Sequence, residues 1–364
     1  MIVWFMERFD IAGHRLMSYI TFRSLLAMLT AFLVGVIFGR KFITLIYQLK
    51  FRDKTRDYGD ISPKNKDGTP TMGGVILFIS FLISVLLWGR LDKFSVRIVL
   101  VAAFWFTALG FFDDYLKSVR GSSDAGMSRG VKLFFQVMFG LILAILVLSP
   151  GSTPFPHHLV TKLFVPFIKH PVLDLSYFYY PFVILVVIGI SNSINFADGM
   201  DGLATVPVAF TALVYAVFAY ILSNVKLSQY FLFPFINGSG ELVIVMAAMV
   251  GSLIAFLWYN TYPAEIFMGD TGSLFLGGVI ATTAVLLKNE VIFLLAGGVF
   301  VIEFLSVFIQ DYIGIKLLKR RIFYRAPIHH TYQFMGIAEP KIVVRFWIIS
   351  ALFTLFSLIS IKLR

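Results

Sequence analysis

Long apolar runs separated by short polar segments occupy most of the chain. A helix that spans a bilayer needs about 20 predominantly apolar residues. Applied along the sequence, this length predicts ten spans, at 20–48, 71–89, 94–116, 131–149, 175–195, 202–223, 241–260, 272–287, 291–313 and 341–361. The pattern predicts an all-α integral membrane protein with about ten transmembrane helices in one bundle. We expect a single polytopic domain, 1–364, with both termini on one side.

The composition agrees with a membrane protein and excludes several other classes. Of 364 residues, 59% are hydrophobic and 14% are charged, whereas soluble domains carry about 25% charged residues. The net charge of +11 does not indicate nucleic-acid binding, because the basic residues lie between apolar runs, as in cationic membrane loops. The absence of cysteine excludes disulfides and thiolate metal sites. No short apolar core precedes a small-residue cleavage site, so we expect no removable signal peptide.

The distribution of Lys and Arg predicts the orientation. The loops that follow the odd-numbered spans lie on one side of the membrane. Together with Arg40 and Lys41, these loops contain 19 of the 31 basic residues. Cytoplasmic loops carry the excess of positive charge, so this side is predicted to face the cytoplasm. The opposite side carries the Pro- and His-rich loop 150–174. We interpret this loop as a folded cap, and metal binding by His157 and His158 is the alternative.

Acidic residues are few, and five of them lie at the predicted cytoplasmic ends of spans: Asp113, Asp114, Asp198, Asp201 and Asp270. A carboxylate beside hydrocarbon costs several kcal/mol unless it faces a cavity, a cation or a partner. Three such clusters in separate loops predict one site built from several helices. The alternative is that each cluster only caps or ends a helix.

The spacing of these carboxylates predicts a metal site that uses oxygen ligands. Asp113 and Lys117 lie four residues apart and share a helix face, as do Asp198 and Asp201 at three apart. Asp113 and Asp114 point about 100° apart on a helix, so they are expected to have different roles. Carboxylates without cysteine and with few histidines favour Mg²⁺ over Zn²⁺.

Basic and histidine-containing segments on the same side suit an anionic substrate. The segment KNKDGTPTMGG (64–74) brings lysines and close-packing glycines to the start of a span, where a helix N-terminus favours phosphate. Its glycines could equally be helix-packing residues. The basic run within 316–333 ends in His329 and His330. Membrane anchoring also explains the basic run, but not the histidine pair.

Four motifs together resemble the polyprenyl-phosphate N-acetylhexosamine-1-phosphate transferases: DD at 113–114, NFADGMDGLA at 195–204, FMGDTGSL at 267–274 and APIHH at 326–330. The segment GTPTMGG at 68–74 narrows the resemblance to the branch that uses UDP-N-acetylmuramoyl-pentapeptide. The resemblance covers nearly the whole chain. It implies a ten-span homodimer in the bacterial inner membrane, with its active site facing the cytoplasm. It also implies Mg²⁺-dependent transfer to undecaprenyl phosphate, which gives lipid I and UMP.

The resemblance also implies roles for individual residues. Asp270 matches the metal ligand, and Asp113 matches a proposed base or nucleophile, so direct attack by the lipid phosphate and a covalent intermediate both stay open. Together with the positions of the acidic residues and histidines, the resemblance predicts five catalytic residues: Asp113, Asp114, Asp270, His329 and His330. The predicted substrate-binding residues are Lys66, Thr71, Lys117, Lys132, Asn195, Asp198, Asp201, Asn260, Phe267 and Gln310.

One departure and two alternatives accompany this interpretation. The family usually has a third histidine and then Phe-Glu, whereas this chain has Thr331 and Tyr332-Gln333. A sister transferase of N-acetylglucosamine-1-phosphate is the nearest alternative, and the GTPTMGG segment argues against it. An ion-coupled transporter is the alternative from another class. Its carboxylates would be expected near the bilayer midplane, in broken helices.

Overall fold

A computed structural model of the protein describes residues 14–49, 68–120, 126–149, 153 and 155–363, and also residues 2 and 5. The segment that contains Lys64 and Lys66 lies outside the described residues. The described residues form helices and one small hairpin. The longer helices in the first half are α1 (Ile20–Gln48), α2 (Gly74–Trp88), α3 (Phe94–Arg120) and α4 (Arg129–Leu148).

The second half of the chain continues the bundle. Its helices are α5 (Tyr179–Ala197), α6 (Thr205–Ser223), α7 (Val225–Tyr230), α8 (Glu241–Asn260), α9 (Gly269–Leu286), α10 (Phe293–Ala296), α11 (Gly298–Phe308), α12 (Ile328–Phe334) and α13 (Glu339–Lys362). A π-helical segment, Ile309–Leu317, continues α11. Short 3₁₀ turns lie at His14–Ser18, His157–Leu159 and Ser176–Phe178.

The predicted all-α multi-pass fold is confirmed. Within the described residues, nine helices are long and apolar enough to cross a membrane, and α2 is a further apolar helix of 15 residues. At 1.5 Å per residue, α2 is about 22 Å long, which is shorter than the hydrocarbon core. The predicted span 291–313 differs from the structure, because Gly297 separates α10 from α11.

Several helices extend past the predicted ends of their spans, and two of them, α3 and α9, carry acidic residues of the predicted site near those ends. Helix α3 continues to Arg120, so Asp113 and Asp114 lie within the helix. Helix α9 begins at Gly269 rather than at residue 272, which places Asp270 in its first turn. The C-terminal ends of α3 and α5 meet the N-terminal end of α9 at one end of the bundle.

Helix α9 lies at the centre of the bundle and packs against α2, α3 and α5. Glycines permit these close crossings, as is usual for membrane helices. A Cβ at Gly74 would lie less than 3.0 Å from the backbone of Gly272, and one at Gly110 would lie equally close to the carbonyl oxygen of Asp270. Backbone therefore packs directly on backbone where α9 begins.

The loop at the opposite end of the bundle forms a small folded cap. Two short antiparallel strands, β1 (Lys162–Leu163) and β2 (Leu173–Asp174), pair within it. Lys288 Nζ, after α9, donates a hydrogen bond to the Val160 carbonyl oxygen over 2.6 Å. This supports the cap interpretation of the loop; His158 is exposed, and nothing is described for the side chain of His157.

Candidate active site

Two carboxylates and two lysines form the centre of the site. Lys117 Nζ lies 2.7 Å from Asp113 Oδ2 and 3.1 Å from Asp270 Oδ2. Lys132 Nζ, from α4, lies 2.8 Å and 2.6 Å from the same two oxygens. The predicted pairing of Asp113 with Lys117 is thus confirmed. Three helices contribute to this four-residue cluster, so it depends on the packing of α3, α4 and α9.

Asp114 has a different role from its neighbour, as the helical spacing predicts. Its Oδ1 accepts a hydrogen bond from the Asp270 N–H over 3.0 Å. Its Oδ2 accepts from the N–H and the hydroxyl of Thr271, over 2.8 Å and 2.6 Å. The first N–H groups of a helix have no partner within the helix, and a carboxylate there is also favoured by the helix dipole. Asp114 therefore caps α9 from a neighbouring helix and positions Asp270.

The start of α9 needs glycine at position 269. Gly269 has a φ of +71°, and a Cβ there would lie 2.5 Å from Asp114 Oδ2. Only glycine adopts such a φ readily and also leaves room for the carboxylate. In the Gly-Asp-Thr sequence, Gly269 therefore forms the turn and Asp270 provides the carboxylate of the site. The N–H groups of Asp270 and Thr271 are the ones that Asp114 caps.

Asn195 connects α5 to the acidic centre. Its Nδ2 donates to Asp270 Oδ1 over 2.9 Å and to Ser273 Oγ over 2.8 Å. One helical turn earlier, Asn192 exchanges hydrogen bonds with Gln136 of α4. Each oxygen of Asp270 is therefore hydrogen-bonded from another helix, which restricts the carboxylate to one orientation.

The loop after α5 brings two further acids to the site. Burial, followed by the negative charges of Asp270 and Asp114, raises the pKa of the Asp198 carboxyl well above its ordinary value. Asp201 is 4% exposed, and its Oδ2 accepts from the Ala264 N–H over 3.1 Å. The negative charges of the acidic centre therefore act on Asp198, whereas Asp201 joins its loop to the loop before α9.

Asn260 holds the same two loops together. Its Oδ1 accepts from the Gly202 N–H over 2.9 Å, and its Nδ2 donates to the Ile266 carbonyl oxygen over 2.9 Å. The side chain is 3% exposed. These contacts give Asn260 a structural part in the site, and its predicted contact with substrate stays a prediction.

Thr71 and Phe267 lie beside the acidic centre on paired backbone segments. The Phe267 N–H donates to the Pro70 carbonyl oxygen, and the Phe267 carbonyl accepts from the Gly73 N–H, both over 2.8 Å. The Phe267 side chain is partly exposed, whereas Thr71 is 9% exposed. The glycine-rich segment therefore lies next to the start of α9, and its predicted contact with a phosphate stays a prediction.

The histidine pair lies on α12 and reaches the loop after α5. The rings of His329 and His330 lie with their centroids 4.2 Å apart and their planes tilted by 53°. A Cβ at Gly199 would lie less than 3.0 Å from His329 Nε2, so this ring packs against the backbone next to Asp198. His330 Nδ1 lies 3.2 Å from Gln333 Oε1.

One residue at the site was not predicted from the sequence. Glu303 of α11 is fully buried, and its Oε2 lies 3.1 Å from His329 Nδ1. A lone carboxylate in the apolar run VFVIEFLSVF (299–308) was itself a usable signal, because such residues are costly in a membrane span. The prediction from sequence includes only acids at the ends of spans.

Gln310 and Thr331 shape the basic segment that precedes the histidines. Gln310 Oε1 accepts from the N–H groups of Ile322 and Phe323, over 3.1 Å and 3.0 Å. Thr331 Oγ1 accepts from the Arg325 N–H over 3.1 Å and donates to the Arg325 carbonyl oxygen over 2.5 Å. The residue in place of the third histidine thus closes the turn that leads into α12.

We expect Thr331→Val to lower the free energy of unfolding by about 1 kcal/mol, because it removes the hydrogen bonds of Thr331 to the partly buried backbone N–H and carbonyl groups of Arg325. Thr354→Val is a matched control, since within the described part of the chain Thr354 Oγ1 has no hydrogen-bond partner. Thermal unfolding of both variants in detergent measures the difference. Equal stability of the two variants would contradict this role for Thr331.

The carboxylates of the site suit a hard divalent cation. Asp113, Asp114 and Asp270 can each offer one oxygen, and these three oxygens lie within 4.8 Å of one another. The set contains oxygen donors only, as Mg²⁺ prefers. Asp114 accepts hydrogen bonds from backbone N–H groups of α9, which cannot turn away, whereas Asp113 and Asp270 each direct one oxygen to lysine side chains, which can move. Asp270 and Asp113 are therefore the better candidates as ligands. The residues therefore fit a metal ion.

The fold and the site together define a multi-pass membrane enzyme with an acidic centre and flanking lysines at one end of its bundle. Such a centre suits chemistry on anionic substrates where the bilayer meets water. The family model described as glycosyl transferase family 4 matches residues 96–288, more than half of the chain. That match includes Asp113, Asp114 and Asp270.

Similar curated proteins agree with this match. A protein from Leptospira biflexa is 39% identical over the whole of both chains. Proteins from Citrifermentans bemidjiense and Pelobacter propionicus are each 43% identical, over 95% of both chains and over 98% of this chain and 97% of the relative, respectively. All three are named phospho-N-acetylmuramoyl-pentapeptide-transferase. The chain belongs to glycosyl transferase family 4 and, within it, to the phospho-N-acetylmuramoyl-pentapeptide transferases.

Proposed function

We propose that the protein transfers phospho-N-acetylmuramoyl-pentapeptide from UDP-N-acetylmuramoyl-pentapeptide to undecaprenyl phosphate, which gives lipid I and UMP. This is the first membrane step of peptidoglycan synthesis. The observation that carries the proposal is the cluster of Asp113, Asp270, Lys117 and Lys132 at one end of a membrane bundle. The names of the similar proteins support the choice of substrate.

The exposure of the cluster indicates which groups meet a substrate first. Lys117 and Lys132 have side chains 29% and 23% exposed, whereas Asp270 is 15% and Asp113 is 0% exposed. Two anionic phosphates must approach each other in this reaction, and their repulsion is a large part of the barrier. The two ammonium groups reduce that repulsion and orient the diphosphate.

Asp113 and Asp270 supply the remaining chemistry. The Met127 N–H donates to Asp113 Oδ1 over 2.6 Å, so Oδ2 is the oxygen directed to the lysines. In the direct route, Asp113 accepts the proton of the lipid phosphate, whose oxygen attacks the β-phosphorus as the bond to UMP breaks. In the covalent route, Asp113 itself attacks that phosphorus as the bond to UMP breaks, and the oxygen of the lipid phosphate then displaces Asp113 from the phosphorus. Mg²⁺ held by Asp270, with Asp113 beside it, would stabilise the charge on the diphosphate and on the leaving UMP.

The proposal includes the surroundings of the enzyme. We place it in the bacterial inner membrane as a homodimer. Its site faces the cytoplasm, which supplies the water-soluble, nucleotide-linked substrate. The excess of Lys and Arg on that side supports this orientation. Membrane lipid is a partner, and we propose no nucleic-acid partner.

The decisive experiment is an assay of purified protein in nanodiscs with undecaprenyl phosphate and Mg²⁺. We expect UMP and a lipid-linked product to form from UDP-N-acetylmuramoyl-pentapeptide, and to be lost on addition of EDTA. A preference for UDP-N-acetylglucosamine in the same assay would favour the sister transferase. Ion flux through proteoliposomes without any UMP release would favour a transporter.

The orientation can be tested with single cysteines, because the chain has none of its own. Ser128 and Lys169 are both exposed, on the proposed cytoplasmic and outer sides. In spheroplasts we expect a membrane-impermeant maleimide to label Lys169→Cys, and to label Ser128→Cys only after permeabilisation. The reverse pattern would contradict the proposed orientation.

A further inference from the structure

Glu303 and His329 form a buried pair beside the acidic centre. Both side chains are 0% exposed, and Glu303 Oε2 lies 3.1 Å from His329 Nδ1. Glu303 lies within a predicted membrane-spanning segment, where a carboxylate is costly and is usually retained for function. The pair is not part of the cluster of Asp113, Asp270 and the two lysines.

The position of the His329 ring is set from both sides. On one side, Ser306 Oγ accepts from the Ile328 N–H over 3.0 Å and donates to the Glu303 carbonyl oxygen over 2.6 Å. This fixes the start of α12 to the same turn of α11 that carries Glu303. On the other side, His329 Nε2 packs against Gly199, where any Cβ would come closer than 3.0 Å.

Two atoms of the pair have unused hydrogen-bonding capacity. Among the residues that the structure describes, Glu303 Oε1 and His329 Nε2 are buried side-chain atoms without a hydrogen-bond partner. Native proteins contain few such atoms, and one explanation for them is a ligand or water that completes the bond. A carboxylate at Nδ1 requires the proton on that nitrogen, so in the neutral ring Nε2 is an acceptor.

We propose that Glu303 is a positioning residue that acts through His329. It accepts the Nδ1–H and thereby holds Nε2 against Gly199, in the 198–202 loop that presents Asp198 and Asp201 to the site. The ring links α11, α12 and this loop into one arrangement. The proposal rests on the proposed transferase function only for its effect on turnover; the arrangement of the ring is independent of it.

A double-mutant cycle tests whether Glu303 acts through His329. Residues that orient a functional side chain typically cost about 10–100-fold when they are removed, and we expect Glu303→Ala to lower kcat by that amount. The double variant with His329→Ala should be no slower than His329→Ala alone, because residues that act as a unit are not additive. Losses that multiply would overturn the proposal.

Conservative variants separate positioning from folding. Glu303→Gln keeps an oxygen that can accept the Nδ1–H, so we expect it to recover most of the activity that Glu303→Ala loses. Glu290→Gln is the control, since Glu290 is a buried acid at the opposite end of the bundle that also has a side-chain partner, Tyr179. It should leave UMP release per folded protein unchanged. A Glu303→Gln variant that folds but is as slow as Glu303→Ala would count against the proposal.

A spectroscopic test does not require activity. With ¹⁵N-labelled histidine, and His329→Gln to assign the signals, we expect the proton of neutral His329 on Nδ1. Glu303→Ala should shift this proton towards Nε2, the preferred site in free histidine, whereas Glu303→Gln should leave it on Nδ1. The glutamine variant decides the matter if the alanine variant does not fold. An Nε2–H tautomer in the unchanged protein would overturn the proposal. Absence of UMP release with the Nδ1–H tautomer present would instead refute the proposed function alone.

Gly199→Ala approaches the same ring from the other side. Its added Cβ meets His329 Nε2, so we expect the His329 signals to change and UMP release to fall by about 10-fold or more. Gly189→Ala in α5 is the control, because a Cβ there meets nothing within 4 Å. Unchanged His329 signals and turnover in Gly199→Ala would contradict the proposed contact.

Discussion

Asp270→Asn is expected to lower the rate of UMP release by about a thousandfold or more, because Lewis-acid stabilisation is worth several kcal/mol and each 1.4 kcal/mol is a factor of ten. An asparagine could still accept from Asn195 through its oxygen. Its NH₂ group, however, would face Lys117 and Lys132, and it would be a poor Mg²⁺ ligand. The loss should therefore arise from metal binding and from the displaced lysines, with folding largely retained.

The measurement combines turnover with metal affinity. Isothermal titration with Mg²⁺ in the presence of a non-reactive UDP analogue should show weak binding in Asp270→Asn. Asp92→Asn is a control at the opposite end of the bundle, where the Asp92 side chain is 68% exposed. Normal Mg²⁺ affinity in Asp270→Asn would refute the role of Asp270 as the metal ligand.

Gly110→Ala is expected to have the second largest effect, although residue 110 carries no functional group. Its Cβ would lie less than 3.0 Å from the Asp270 carbonyl oxygen and from the Thr271 Cα, both of which are backbone atoms that cannot rotate away. Helix α9 would have to move away from α3, and overpacking of this kind costs about 1–3 kcal/mol of stability. The shift also separates Asp270 from Lys117 and Asp114, and a displacement near 1 Å can cost about 100-fold in rate.

Gly189→Ala serves as the control for this variant too, since it adds the same methyl group to open space in another span. Thermal unfolding and UMP release should both fall for Gly110→Ala and be nearly unchanged for Gly189→Ala. Full activity in Gly110→Ala would show that α9 does not need its close contact with α3.

The helices were predictable because spans depend on a local property. A run of about 20 apolar residues must form a helix in a bilayer, since every backbone polar group has to be satisfied within the segment. The span predicted at 241–260 coincides with α8, and the one predicted at 20–48 coincides with α1. Boundaries were wrong where polar residues continue a helix.

Helix α9 shows why such boundaries fail. The residues GDTGS (269–273) are typical of a loop, and the span was predicted to begin at 272. In the structure they form the first turn of α9, because Asp114, 156 residues earlier than Asp270, accepts hydrogen bonds from its N–H groups. No local pattern contains that contact.

The candidate residues were predictable in identity but not in arrangement. Acids at the ends of apolar runs pointed to Asp113, Asp198 and Asp270, because charges there are costly and need a partner. Glu303 was missed because it is a single acid within a run, and its partner His329 is 26 residues away. Lys66 stays a prediction, because it lies outside the described residues.

Sequence by itself determined the membrane spans, the acidic and basic residue types of the site, and the motifs shared with one family of transferases. Tertiary structure decided that Lys132 of α4 reaches Asp270, that Asp114 caps α9 and that Glu303 contacts His329. The physical reason is the range of each interaction. Burial in a bilayer acts on every segment separately, whereas the direction of a carboxylate oxygen depends on helices that meet only after the bundle has packed.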